Sequence, residues 1–319
     1  MNAFMNVVRA ELFKVVRKKR TYILAGLWWL VLPILALIVA RVVQTSLAGS
    51  FVDGDVSVQG VLQAFASPYG VARAALALPA LLSPTYYIIV ISLLGALFIG
   101  EERSQNTWKT VLVAQPNRLA VLTGKFAVAM LTFGVILFGA YLSGFVFGTL
   151  GMTFLPTTLS GDWGELLGLY ALQWLYSVAG MMFAFLMVWL LRNVALGLVS
   201  VFFLPALLEG LYTVYATAVG FQPLNRLNAV FQALRLRQTL EELPRYFFTT
   251  NLYAPARKPL SALISAFGGD LTSLTPETAG PFQNLLGTVT LEHAALVLGG
   301  YTVVFGAVLV WSFLRRDVA

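Results

Sequence analysis

The 319-residue sequence predicts an all-α integral membrane protein with six transmembrane helices. Two observations carry that prediction. Hydrophobic residues make up 59% of the chain and charged residues only 11%, against about 25% charged in soluble domains, so there is too little polar surface to cover a water-facing core. The apolar residues are also gathered into six long runs, Tyr22–Ala40, Leu78–Gly100, Phe126–Leu150, Leu166–Leu191, Val194–Val219 and His293–Leu314. Each is long enough to cross a hydrocarbon layer of about 30 Å as a helix, and in lipid only helices and closed barrels satisfy the backbone. None alternates as a barrel strand would.

The first run follows a basic N-terminal stretch, as in a signal peptide. It is longer than the usual signal core, and no small-x-small cleavage site closes it, so it is expected to be an uncleaved span. Within "FMNVVRAELFKVVRKKR", Phe4, Val7, Val8, Leu12, Val15 and Val16 recur at helical spacing. Arg9, Lys14, Arg17 and Lys18 fall largely on the other side. That pattern fits an amphipathic helix over residues 1–21 lying in the membrane interface, or simple basic anchoring. The second run carries Pro79 and Pro84 near its start. In the third, "GFVFG" at Gly144–Gly148 offers a close-packing face for another helix of the chain or for a second copy.

Glu209, four residues after Pro205, is the most costly side chain in the runs, because a carboxylate at bilayer depth costs about 2.5–3.5 kcal/mol. It either serves function or is a hydrogen-bonded glutamate satisfying backbone freed by Pro205.

Thirteen of the 21 Lys and Arg fall in residues 1–21, 101–125, 192–193 and 315–319. The positive-inside rule places those segments, and with them both termini, in the cytoplasm. The opposite side receives 41–83 and a large loop, 220–292. In that loop "LNAVFQALRLRQTLEELPRYF" reads as helical and "NLYAPARKPL" as extended, packed on the bundle. All of 1–319 reads as one transmembrane domain. The net charge of +7 is accounted for by basic membrane flanks, so no nucleic-acid partner is expected. There are no cysteines and one histidine, His293, so no zinc site is expected. Phosphate-binding, dinucleotide and nucleophile-elbow loops are missing; any energised work needs another chain.

The polar block "EERSQNTWKTVLVAQPNRLAVLTGK", Glu101 to Lys125, lies between the second and third runs. It can form a short helix with Glu101 and Glu102 at its N-terminus, where the dipole favours acids, ended by Pro116. It is either a lever held under the membrane by two spans or an ordinary polar loop.

Glu101 or Glu102, Arg103, Asn106-Thr107, Val111-Leu112, Pro116, Arg118 and Lys125 together resemble the coupling segment of ABC-2 type ABC-transporter permeases. Asn106 stands where glycine is usual. The stretch "RAELFKVVRKKRTYIL" is similar to that family's interfacial connecting helix, and the resemblance covers nearly the whole chain. It implies a permease without an ATPase site of its own, dimerising with a second copy or a paralogue and binding two copies of an ABC ATPase subunit. No cofactor is expected on this chain; ATP and Mg would sit on the partner. Thr107, Trp108, Val111 and Leu112 would dock that subunit, with Glu101, Glu102, Arg103, Arg118 and Lys125 as electrostatic anchors. Phe13, Val16 and Arg17 would contact the same partner, while Trp28, Trp29, Glu209, Tyr212 and Tyr215 would line a substrate path or dimer seam. The implied localisation is the plasma membrane, among its lipids, and the implied activity is export of a hydrophobic or amphipathic substrate. A sensor or assembly scaffold using the outer loop is the alternative; a secondary transporter is disfavoured by the lone Glu209.

Overall fold

A computed structural model describes residues 3–47, 58–80, 86–104, 107–191, 193–219, 242–265 and 289–315. The N-terminal helix α1 (Ala3–Arg17) ends at an extended Lys18. The first span, α2, then runs from Lys19 to Thr45, with π-helical turns at Leu27–Val31 and Val43–Leu47. Two shorter helices follow, α3 (Val58–Ala66) and α4 (Pro68–Ala77). Helix α5 starts at Tyr86–Gly95, passes through a π-helical turn at Ala96–Gly100 and continues to Ser104.

The polar block holds α6 (Trp108–Ala114). The long spans α7 (Arg118–Gly151), α8 (Trp163–Leu190) and α9 (Val194–Val219) come next. A 3-10 turn at Leu243–Tyr246, α10 (Phe248–Leu252), α11 (Ala254–Ser265) and the last span α12 (Leu291–Arg315) complete the described chain. Among the described residues, five helices (α2, α7, α8, α9 and α12) are long and apolar enough to cross a membrane. The protein is a multi-pass membrane protein.

Of the second expected span, Leu78–Gly100, the described part is a 3-10 turn at Leu78–Ala80 and helix α5, whose apolar stretch Tyr87–Gly100 rises about 21 Å of the ~30 Å hydrocarbon layer. Helix α4, expected in an outer loop, packs against the bundle just before it. Pro68, Gly70, Val71, Ala72, Ala74, Ala75, Leu76 and Ala77 are all buried, which a residue run this small achieves by lying close against its neighbours. Ser67 caps its start, its hydroxyl oxygen accepting the Gly70 N–H at 2.9 Å.

The other end of α4 passes into a 3-10 turn at Leu78–Ala80, where Pro79 has no N–H to give the Ala75 carbonyl and the tighter winding takes others off the regular ladder. Leaving such groups unpaired in hydrocarbon costs several kcal/mol each. Side chains from three spans satisfy them. The Trp28 indole donates to the Ala75 carbonyl at 2.9 Å. Leu76 O accepts from the Tyr87 hydroxyl and, at 3.0 Å, from the Gln173 amide. Pro79 lies in the 3-10 turn, and 81–85, with Pro84, lie outside the described residues.

The "GFVFG" face packs within the monomer. A Cβ at Gly144 would lie 2.5 Å from Ala72 Cα, and one at Gly148 would meet the Pro68 backbone. The two glycines let α4 approach α7 backbone to backbone, as small residues do in membranes. Gly139 similarly leaves room for the Trp29 indole, whose N–H donates to Ile136 O at 2.7 Å.

Residues 242–265 pack on the bundle as expected, but "NLYAPARKPL" is helical rather than extended, within α10 and α11. Phe248, Leu252, Tyr253, Ala256, Leu260 and Leu263 are buried there, a continuous apolar stripe that favours helix over extended chain. The helix expected over 227–247 lies outside the described residues as far as 241, and its end forms the 3-10 turn Leu243–Tyr246. His293 holds the turn before α10, its Nε2 3.1 Å from the Arg245 carbonyl.

Replacing Gly144 with Leu is expected to lower stability by about 1–3 kcal/mol through overpacking, measured by thermal unfolding in detergent, with the oligomeric state unchanged. Gly300→Ala, where a Cβ meets open space, should leave the transition within about 0.5 kcal/mol.

Candidate functional site

Helix α1 lies along the start of α7, and its buried stripe is Val7, Glu11 and Val15. An acid in the middle of an apolar contact face departs from the expected apolar-down, basic-up arrangement, and its partners explain it. The Lys125 ammonium, fully buried, sits 2.7 Å from Glu11 and 2.7 Å from Glu102. Lys14 completes a square of alternating charge, 2.9 Å from Glu11 and 2.7 Å from Glu102. These two acids and two bases come from α1, the end of α5 and α7.

Beside the square, Glu101 pairs with Lys18 and, at 3.0 Å, with Arg20. One oxygen of Glu102, Oε2, is buried without a hydrogen-bond partner.

Glu101 and Glu102 therefore end α5 instead of starting a separate helix, where the dipole opposes negative charge. Cations from α1, α2 and α7 offset that cost. Burial works against ionisation of Glu102, but the Lys125 and Lys14 ammonium groups outweigh it and hold its carboxyl below the usual 4.5. Burial likewise works against the Lys14 charge, and its bonds to Glu102 and Glu11 raise it above 10.5. A depressed acid stabilises the fold above its unfolded value and loses that contribution as pH falls through its folded value. A raised base stabilises below its unfolded value and loses it as pH climbs through its folded one. The contributions of Glu102 and Lys14 are thus both present between pH 4.5 and 10.5.

Helix α6 is fixed to the bundle from several sides. Trp108 is 2% exposed, its ring edge-on to Trp189 of α8 at 5.6 Å and to Phe313 of α12 at 5.4 Å. Its indole N–H reaches Ile99 O at 3.4 Å, in the π-helical turn of α5, where wider winding takes carbonyls off the regular ladder. Lys125 Nζ lies 5.5 Å from the Trp108 ring centre, within cation–π range. Gln115 donates from its side-chain amide to Ala3 O at 3.1 Å, tying α6 to α1. Pro116 ends α6, and the Asn117 side chain caps α7 by accepting the Ala120 N–H at 3.0 Å. Arg118 donates to Leu314 O at 3.2 Å, a cation on the carbonyl end of α12.

The expected docking residues therefore separate into two groups. Trp108 and Lys125 are enclosed by the chain itself and present no surface to a partner, Glu102 is nearly so, and Glu101 and Arg118 are engaged internally. Thr107, Val111 and Leu112 are half-buried, while Phe13 and Val16 are exposed at 57% and 63%. Arg17 stacks on Phe13, its guanidinium carbon 4.0 Å from the ring centre. The Arg103 side chain lies outside the described residues. Sequence reasoning missed Val113, an apolar side chain of the segment that is 83% exposed, and the pair Glu11 and Lys14. An acid four residues from flanking valines on one helical face was the available signal for Glu11.

The residues expected along a path or seam are not gathered in one place. Trp28 is fully buried, edge-on to Tyr87 at 5.1 Å and Phe133 at 6.4 Å, so it faces neither lipid nor a second chain. Trp29 is half-buried against α7. Glu209 caps α10: Oε1 accepts the Thr249 N–H at 2.9 Å and Oε2 accepts its hydroxyl. Its hydrogen bonds thus serve a helix forty residues on and not the backbone freed by Pro205. Tyr212 stands edge-on to Phe247 at 5.3 Å, and the Tyr215 side chain lies outside the described residues.

Lys125→Met should cost about 3–5 kcal/mol, since it strands two buried carboxylates on one remaining lysine. Lys125→Met combined with Glu102→Gln should recover part of that loss, a coupling that thermal unfolding of the four forms of the cycle would measure. The hydrogen-exchange protection of α1, corrected for the intrinsic pH dependence of amide exchange, should fall as pH drops through the Glu102 folded value and stay level across neutral pH.

The arrangement is one joint: a superficial helix, a short helix and four spans, α5, α7, α8 and α12, clamped at one end of the bundle by charge and aromatic contact. No curated protein matches the chain. The model of the ABC-2 family transporter proteins matches residues 7–216, a range holding α1, the charge square and the polar block, and the chain belongs to that family.

Proposed function

We propose that this chain is the transmembrane permease subunit of an ATP-driven exporter, and that the joint transmits force from a separate ABC ATPase subunit. The carrying observation is the contrast within one small region. Its interior is fixed by the buried square and Trp108, while Val113, Phe13 and Val16 stand exposed on helices tied together by Gln115 and Ala3. A partner gripping those apolar side chains would move α5, α7, α8 and α12 as a unit. Thr107, Val111 and Leu112 flank the grip, and Arg17 adds charge to it. Trp108, Glu102 and Lys125 then act as the fixing behind the docking surface.

In this reading the joint faces the cytoplasm of the plasma membrane and two ATPase copies carry ATP and Mg. The permease pairs with a second copy or a paralogue across lipid-facing spans. The substrate is hydrophobic or amphipathic and moves outward. The sparse charge of the spans supports that choice.

Val113→Asp should abolish co-purification with the ATPase subunit while leaving the thermal transition in place. Trp108→Asp should instead lower the transition, because it buries a charge among Trp189 and Phe313. Normal complex yield for Val113→Asp and Phe13→Asp together would overturn the docking assignment. ATP-dependent movement of a lipid, peptide or drug into inverted vesicles tests export, and ATP turnover with no transported candidate would favour the scaffold.

A further inference from the structure

At the end of the bundle opposite the charge square, α3, α4, α11 and the turn before α8 surround an open groove of about 580 Å³. Its lining mixes the polar side chains of Gln63, Tyr69, Arg73, Ser160 and Ser265 with small, mostly apolar residues. We propose that this groove binds a phosphate-class oxyanion, with the Arg73 guanidinium as its ligand.

Charge bookkeeping around the groove singles out Arg73. Glu165 accepts the Tyr69 hydroxyl at 3.0 Å and pairs with Lys258 at 2.8 Å. Asp162 caps α8, accepting the Glu165 N–H at 3.1 Å. Gln63 spends its amide on the turn, donating to Thr158 O at 3.1 Å and Ser160 Oγ at 3.0 Å, and its carbonyl accepts the Thr158 N–H at 3.1 Å. Both acids and the amide are thus engaged.

Arg73 makes no hydrogen bond or ion pair to any described residue. Its Nε is buried without a partner, and its guanidinium carbon rests 5.3 Å from the Tyr69 ring centre. Stacking on the ring holds the planar fork in place without using its donors, and such a fork suits bidentate contact with phosphate oxygens. A half-buried cation with unused donors beside open space is costly unless an anion or water enters. The turn that carries Ser160 also exposes Met152, Phe154 and Leu159, so a lipid surface adjoins the groove. A phospholipid headgroup and free phosphate share the required chemistry.

The test uses the full chain in neutral detergent, titrated with phosphatidylglycerol and followed by native mass spectrometry, with inorganic phosphate as competitor. Arg73→Gln should weaken lipid binding about tenfold or more, the size of a lost charged contact, and Arg73→Lys should fall between. Ala262→Phe fills the groove from α11 without touching any charge, and should lower binding equally. It also keeps the test decisive if Arg73→Gln fails to fold. Phosphate that does not compete at millimolar concentration assigns the site to the headgroup; phosphate that does assigns it to a soluble anion. Equal phosphatidylglycerol binding by the wild type and Ala262→Phe would overturn the site.

Discussion

A lysine with no solvent exposure cannot stay charged at the edge of a lipid layer without carboxylates around it, and Lys125 has two. Every neighbouring element is placed by that requirement. Glu11 must point inward, so α1 lies along α7 in one rotation about its axis. Glu102 must end α5 beside the same ammonium, so the second and third spans meet at one depth. Lys14 closes the square and leaves it electrically neutral, which lowers the cost of burying it. A hydrophobic contact of equal area would hold the helices together, but it would permit sliding. Alternating charges set at 2.7–2.9 Å specify a register.

The aromatic cluster beneath the square extends that register to the far side of the bundle. Trp108 touches α8 and α12 through its ring and α5 through its indole N–H, and Arg118 adds a bond to the end of α12. Two residues of a short polar block thus contact a span about two hundred positions away in sequence. The resemblance to the ABC-2 coupling segment finds its physical content here. Glutamate and lysine form the square, proline and asparagine switch one helix into the next, and arginine caps a distant span.

The five long spans were legible in the sequence because lipid enforces a single rule, a run of about 20 apolar residues. The second run marked the apolar helix Tyr87–Gly100, but not the small-residue helix α4 packed before it. Ala72, Ala74 and Ala75 read as an ordinary small-residue loop until Gly144 and Gly148 are brought against them. The charged residues of the polar block stood out through the family resemblance, but their directions did not. Nothing local says that Trp108 turns inward while Val113 turns out, since the aromatic walls that receive Trp108 lie at 189 and 313. Glu209 shows the same limit: its odd position was visible, and its partner Thr249 was not.

The glycine face of α7 has a consequence for how the chain is built. Helix α4 packs backbone to backbone against Gly144 and Gly148, which are synthesised more than seventy residues after the Ala72 and Pro68 they meet. The small-residue helix therefore reaches its final packing only once α7 has been made.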